Sequence, residues 1–416
     1  MMHSPISIRC GDCIHSVTFP DWVEIHSAAP RQGHASIQNI EKLTSERLRA
    51  SNLSEVVAQH RGRTLIICDD ITRPTPVSDI LPALSAYLAD LGVELCAQHV
   101  LFATGTHRAV TGEEAKAKLG RLYGKIAWTC HSPGAEITDL GATKGGIPIR
   151  VNAMLGRFQC IIGIGSVFPH RYCGWSGGGK IILPGVSSAE SVAATHWLPS
   201  FDGDIYLGSK SNTALTEIMD AAKTAGLSFL VQSICGGDGG SVKDIVAGTP
   251  EEAHRQAIAK AEENSGVHVC ESDLVIASAW PEDIDLWQAG KALYSAENIV
   301  WKGGKILLAA GLREGAGTHA RFADLIKLDR RKILEYKDYG DTMLSVEAAA
   351  AYVTRNVMEK ADVFLLTASK YAEEIHRASG IKTFDKLDEA VRSLLTPEMK
   401  DIAVLHQAPF VLPIKR

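Results

Sequence analysis

No run in this chain is long and apolar enough to span a bilayer. The first ten residues, Met1 to Cys10, lack the apolar centre of a secretory signal. A cytoplasmic protein that does not enter the membrane is the expectation. Basic residues are not in excess: 43 Lys and Arg stand against 48 Asp and Glu, for a formal net charge of −5. That balance argues against nucleic acid as the main partner, while leaving room for a local basic pocket around an anionic ligand. There is no cysteine framework, because the nine cysteines are odd in number and scattered, which suits reduced thiols. Cys10-Gly-Asp-Cys13 is a CxxC with no second pair at zinc-site spacing, so it reads as two ordinary thiols near a turn. Internal repeats and low-complexity tracts are also missing, which excludes solenoids and arrays.

What is present is an alternation of short apolar runs and amphipathic stretches over 416 residues, too long for one ordinary core. Thr64 to Cys68, Cys96 to Phe102, Cys160 to Gly165, Leu227 to Gln232, Leu274 to Ser278, Lys305 to Ala309 and Val363 to Thr367 read as strands. Helical patterns cover Val77 to Leu91, Asn212 to Gly226, Pro250 to Glu263, Leu344 to Lys360 and Phe384 to Leu395. The alternation predicts an α/β fold of two domains, with largely parallel sheets flanked by helices and the active site in the interdomain cleft. Residues 1–268 are expected to form the N-terminal cofactor-binding domain and residues 269–395 the C-terminal one. The strand-like tail 396–416 could return to the N-terminal domain. Ser7 to Arg9, Ser16 to Phe19 and Asp21 to Ile25 look like short antiparallel strands.

Several chemically loaded clusters follow strands, where α/β folds place their sites. Asp69-Asp70-Ile71-Thr72-Arg73-Pro74-Thr75-Pro76 delivers two carboxylates and an arginine to a loop. It suits either a bidentate clamp on an anion or a salt-bridged turn with Thr75 capping the next helix. Thr104-Gly105-Thr106-His107-Arg108 places a histidine after the following strand; taken alone it reads as a helix start with a solvated imidazole. His170 opens a segment ending in Gly174-Trp-Ser176-Gly177-Gly178-Gly179-Lys180, and His196 follows sixteen positions later. The glycines permit close backbone approach, and the lysine could meet a phosphate or form a covalent bond. The run fits the GxxxxGK half of a phosphate loop, but Ile181 stands where a magnesium-binding Ser or Thr belongs, which disfavours a phosphotransferase. His196 at a helix end is by itself a C-terminal cap. Gln288 and Lys291, about one turn apart, read as either a cleft-facing pair or a solvated helix face.

Taken in order, these pieces resemble the LarA-type lactate racemases, the nickel-pincer-nucleotide enzymes. The resemblance rests on Asp70-Ile-Thr-Arg73-Pro, Gly105-Thr-His107-Arg, His170 through Lys180, Leu183-Pro-Gly185, His196, and Gln288 with Lys291. It implies an isomerase, a racemase or epimerase of a small 2-hydroxy acid. It also implies a cofactor, pyridinium-3-thioamide-5-thiocarboxylic acid mononucleotide holding nickel, which is absent from protein made without its cofactor-synthesis partners. By the resemblance, Lys180 tethers the cofactor and His196 is the metal ligand. His107 and His170 are the acid/base pair. Arg73, Gln288 and Lys291 bind the substrate carboxylate and its neighbouring oxygen. Asp70, Thr72, Ser176, Gly177, Gly178 and Gly179 belong to the cofactor's surroundings. The implied chemistry removes the α-hydrogen as hydride to the pyridinium while a histidine takes the hydroxyl proton. The reading from a different class is a non-catalytic phosphate-ligand binding or sensing protein using the Gly174–Lys180 loop, which has no need of His107 and His170. The substrate side chain and the oligomeric state stay open.

Overall fold

The computed structural model describes residues 3–31, 39–236 and 241–416. It divides into two compact units. One takes the described residues of Met1–Gln32 with Pro169–Arg171 and Asn264–Arg416; the other takes those of Gly33–Phe168 and Tyr172–Glu263. Each is built on a six-stranded sheet, and the fold is α/β with largely parallel strands.

In the unit containing Lys180, the spatial order is Val242–Gly248, Leu227–Cys235, Cys160–Val167, Thr64–Asp69, Gln98–Ala103, Ala127–Cys130. All neighbours are parallel except the edge pair Val242–Gly248 and Leu227–Cys235. The central strand Thr64–Asp69 is buried at every position. Its unbroken Leu-Ile-Ile-Cys run suits a strand covered on both faces, and alternation would not. Helix Val77–Asp90 buries Ile80, Leu81, Leu84 and Leu88 in the core that also holds Ile66, Phe102, Ile162 and Phe229. Thr75 does not cap this helix. Pro76 occupies that position with no side-chain bond, and the Thr75 hydroxyl turns to Asp69 and Ser166 instead.

In the other unit the order is Lys382–Phe384, Asp362–Leu366, Val300–Ala309, Ser272–Ser278, Asp401–Leu405, Glu24–Ala28, all parallel. Three expectations change here. The first strands do not group with the residues of an N-terminal domain 1–268, since Glu24–Ala28 pairs with Asp401–Leu405. That strand is parallel to its neighbour, whereas Ile6–Cys10 and Cys13–Val17 do form the antiparallel hairpin. The tail 396–416 groups with the residues that precede it: Asp401–Leu405 lies inside this sheet, and Leu412–Lys415 pairs with Gly266–Val269. The physical reason is burial. Ile402, Ala403, Val404 and Leu405 are at most 1% exposed, so the strand needs a neighbour on each edge and cover on both faces.

Among the described residues, no helix is long and apolar enough to cross a membrane.

Candidate active site

Chain order and spatial order disagree at one place in the sheet of the Lys180 unit. From Thr64–Asp69 the chain steps outward through Gln98–Ala103 to Ala127–Cys130, then returns to lay Cys160–Val167 on the opposite side of Thr64–Asp69. The loops leaving these two adjacent parallel strands therefore run to opposite faces, and a crevice opens at their carboxyl ends. Asp70 to Pro76 leaves the first strand, Thr104 to His107 leaves its neighbour, and the chain beyond Val167 leads to the glycine loop. Gly105 N–H donates to Gly185 O at 2.8 Å, tying the histidine loop to the Leu183-Pro184-Gly185 turn.

Asp70 is the centre of the first cluster. It is 3% exposed, and its Oδ2 lies 2.8 Å from His107 Nδ1. Its Oδ1 accepts the Thr72 backbone N–H at 2.9 Å and the Thr72 hydroxyl. Arg73 Nη1 in turn donates to Thr72 Oγ1 at 2.8 Å and Thr72 O at 3.1 Å. Burial works to raise the Asp70 pKa, but His107, then Arg73 and the Thr72 bond, outweigh it and hold the carboxyl well below the usual range. An ionised Asp70 keeps the His107 proton on Nδ1, which leaves Nε2 as the nitrogen able to take a proton.

Lys180 sits in the short turn Gly178–Ile181. Gly177 and Gly178 enter it at φ of +80° and +59°, the left-handed region that favours glycine. Ser176 anchors the loop to the strand end: its hydroxyl donates to Ser166 O and accepts from Phe168 N–H, both at 2.9 Å. Burial lowers the Lys180 pKa; the Cys173 thiol opposes that shift and the Arg73 charge adds to it. His196 lies in the last turn of helix Ala189–Trp197, where its Nδ1 meets Val192 O at 2.9 Å and its ring lies 4.8 Å from that of Tyr172. Burial first, then the charges of Lys180 and His107, push His196 down to about 3. It is therefore neutral, with the Nδ1 proton spent on the backbone and Nε2 carrying a lone pair. Lys180 thus feels the Arg73 charge, and His196 feels those of Lys180 and His107.

His170, Gln288 and Lys291 belong to the other unit. His170 is buried in the two-residue strand Pro169–His170. Gln288 is 1% exposed, and its backbone N–H donates to Asp285 Oδ1 at 2.7 Å at the start of helix Leu286–Glu297. Lys291 forms an ion pair with the buried Glu282. Neither residue lies on a solvated helix face.

Sequence reasoning missed the group that stiffens the Arg73 loop. Lys118 Nζ donates to Asp69 Oδ1 at 3.1 Å, Arg73 O at 2.9 Å and Thr75 O at 3.2 Å. Burial raises the Asp69 pKa against the pull of Lys118 and Thr75. Lys118 lies on the polar helix Gly112–Leu119 beside Lys116, and no local pattern in the sequence marks it. Gln232 and His254, which lie under the glycine loop, were missed for the same reason.

Known proteins resemble this chain in sequence and in fold. Residues 15–204 match the model of the lactate racemase N-terminal domain. Lactate racemase of Lactiplantibacillus plantarum is 27% identical over 310 residues, covering 71% of this chain and 70% of the relative. Lactate racemase of Thermoanaerobacterium thermosaccharolyticum is 29% identical over 269 residues, covering 63% of this chain and 62% of the relative. The fold matches the lactate racemase apoprotein structure from Thermoanaerobacterium thermosaccharolyticum with a TM-score of 0.84 at 23% identity, over 99% of this chain and 100% of that one. It also matches a protein structure from Thermotoga maritima with a TM-score of 0.73 at 21% identity, over 92% and 100% of the two chains. The ordered motifs, the matching N-terminal domain over residues 15–204 and the shared fold together support the LarA-type lactate racemase family for this chain.

Proposed function

We propose that this protein is a racemase of a small 2-hydroxy acid of the lactate type, acting in the cytoplasm with a nickel-pincer nucleotide. The observation that carries the reading is the pair of buried Asp70 and half-buried His107, with Arg73 acting electrically on Asp70 and Lys180, and Lys180 and His107 on His196. An acid/base catalyst needs an imidazole whose tautomer is fixed by a buried carboxylate, whereas holding a phosphate ligand does not require one. This disfavours the non-catalytic phosphate-binding reading.

The residues present fit the cofactor. Lys180 offers an amine whose pKa is lowered by burial, as an anchoring nucleophile requires. His196 is a neutral imidazole with its Nδ1 already engaged, the form that ligates a metal. When bound, the nickel pyridinium supplies a hydride acceptor. The rest belongs to this chain. Arg73 holds the substrate carboxylate, with Gln288 and Lys291 assigned to substrate oxygens by the family resemblance. His107 takes the hydroxyl proton on Nε2 while Asp70 holds the resulting imidazolium in place. His170 serves the opposite enantiomer.

The test is protein produced together with the cofactor-synthesis proteins, followed by intact mass, nickel content and racemisation of a panel of 2-hydroxy acids. Expected are an adduct that Lys180→Ala abolishes, nickel that His196→Ala weakens, and activity lost in His107→Ala with nickel retained. A protein that carries neither adduct nor nickel and racemises nothing overturns the reading.

A further inference from the structure

Beneath the glycine loop lie two polar side chains to which the reading above gives no role. Gln232 comes from strand Leu227–Cys235 and His254 from helix Pro250–Ser265, and they are 0% and 3% exposed. Gln232 Oε1 accepts the Gly178 backbone N–H at 2.7 Å and lies 3.1 Å from His254 Nδ1. The two contacts fix both groups: the amide oxygen faces the loop, and the imidazole carries its proton on Nδ1. Burial, then the Lys180 charge, push His254 down to about 4, so it stays neutral.

The fit is close. A Cβ on Gly178 would come within 2.5 Å of His254 Cδ2, and one on Gly177 within 2.8 Å of Gln232 Oε1. Yet the arrangement carries a cost, because Gln232 Nε2 and His254 Nε2 are buried with no hydrogen-bond partner among the described residues. Aliphatic side chains would fill this space without that cost. What the polar pair provides, and an aliphatic pair could not, is a directed acceptor for Gly178 N–H, aimed by a third group. Lys180 lies two residues further on, in the same turn.

We propose that Gln232 and His254 are positioning residues for Lys180: His254 Nδ1–H aims the Gln232 carbonyl, Gln232 holds Gly178 N–H, and the glycine turn so fixed presents the lysine amine to the crevice. The inference rests on the reading of Lys180 as the cofactor anchor. The test uses His254→Phe, which keeps a ring and removes the donor, and Gln232→Leu, which removes the acceptor. His254→Asn restores a donor close to the Nδ1 position. In apoprotein, Lys180 is labelled with cyanate and the rate is read by peptide mass, with a thermal melt as the check on folding. The labelling rate is expected to rise about tenfold in the Phe and Leu variants as the turn loosens, and to return close to the wild-type rate in His254→Asn. In loaded enzyme the same two variants should lose about tenfold in kcat with KM changed little, again rescued by Asn. Wild-type labelling in a folded His254→Phe or Gln232→Leu protein, or failure of Asn to rescue, overturns the proposal. Cyanate labelling needs no cofactor, so it decides the positioning role whether or not Lys180 carries an adduct.

Discussion

A carboxylate one residue past a strand end decides which nitrogen of His107 can work. Asp70 and His107 are 37 positions apart, so each was legible in the sequence as a loop residue, but their 2.8 Å contact was not. Replacing Asp70 with Asn keeps the Oδ1 acceptor for the Thr72 turn. It puts an amide donor against His107 Nδ1, drives the proton to Nε2 and removes the base. We expect Asp70→Asn to lower kcat about 100-fold or more in loaded enzyme, with adduct and nickel content unchanged. A kcat within about twofold of the parent would show that the tautomer does not matter. Arg73 tests the neighbouring function. Its guanidinium is aimed by Thr72, and Lys cannot reproduce a bidentate fork, so Arg73→Lys should raise KM about tenfold or more while kcat moves less. Equal losses in KM and kcat would move Arg73 out of the carboxylate clamp.

At the scale of elements, the strands and helices were mostly legible because buried parallel strands are written in continuous apolar residues. Leu274 to Ser278 and Lys305 to Ala309 were read directly, whereas the exposed Trp301, Lys302 and Gly303 at the start of Val300–Ala309 were not. Phe384 was read as the start of a helix but ends the strand Lys382–Phe384, since one aromatic residue fits either element. The antiparallel expectation for Glu24 failed because strand direction is set by a partner 377 residues away, as Glu24 aligns with Asp401. The glycine loop was legible as a close-approach segment, but not what it approaches. Gly178 has a φ of +59°, and its missing Cβ leaves room for the His254 ring. Gly178→Ala therefore combines left-handed strain of about 1–2 kcal/mol with overpacking of about 1–3 kcal/mol. It should lower the urea midpoint clearly. Gly203→Ala, where a Cβ meets nothing within 4 Å, should leave the midpoint in place and serves as the control. Equal midpoints in the two variants would refute the close fit beneath the loop.

At the scale of the whole molecule, both ends of the chain feed the sheet built from the later residues. No local pattern announces that, because the pairing rewards burial of residues far apart in sequence. Global stability, however, has a component traceable to particular buried histidines. His131, 0% exposed, lies 3.0 Å from Ser187 O through Nε2 and 3.1 Å from Asn152 Nδ2 through Nδ1. Burial, partly offset by the Ser187 bond, pushes it down to about 4, and His254 lies at about 4 as well. Their ordinary value is 6.5, so below that pH the unfolded chain binds protons that the folded chain refuses. The stability they leave intact above pH 6.5 is lost as pH falls toward 4, at about 1.4 kcal/mol per unit for each group, or roughly 2 kcal/mol each by pH 5. Asp69, Glu297 and Glu347 work the other way, because burial raises their pKa values and acid favours their folded, protonated forms. The net slope therefore mixes both signs, and a single substitution isolates one contributor. His131→Gln keeps a donor that can reach Ser187 O and does not titrate. Urea unfolding of the apoprotein between pH 6.5 and 5 should show the variant's pH slope flatter than the parent's by about 1 kcal/mol per unit. An unchanged slope would mean that His131 is protonated in the fold, which its contact with the Asn152 amide donor opposes.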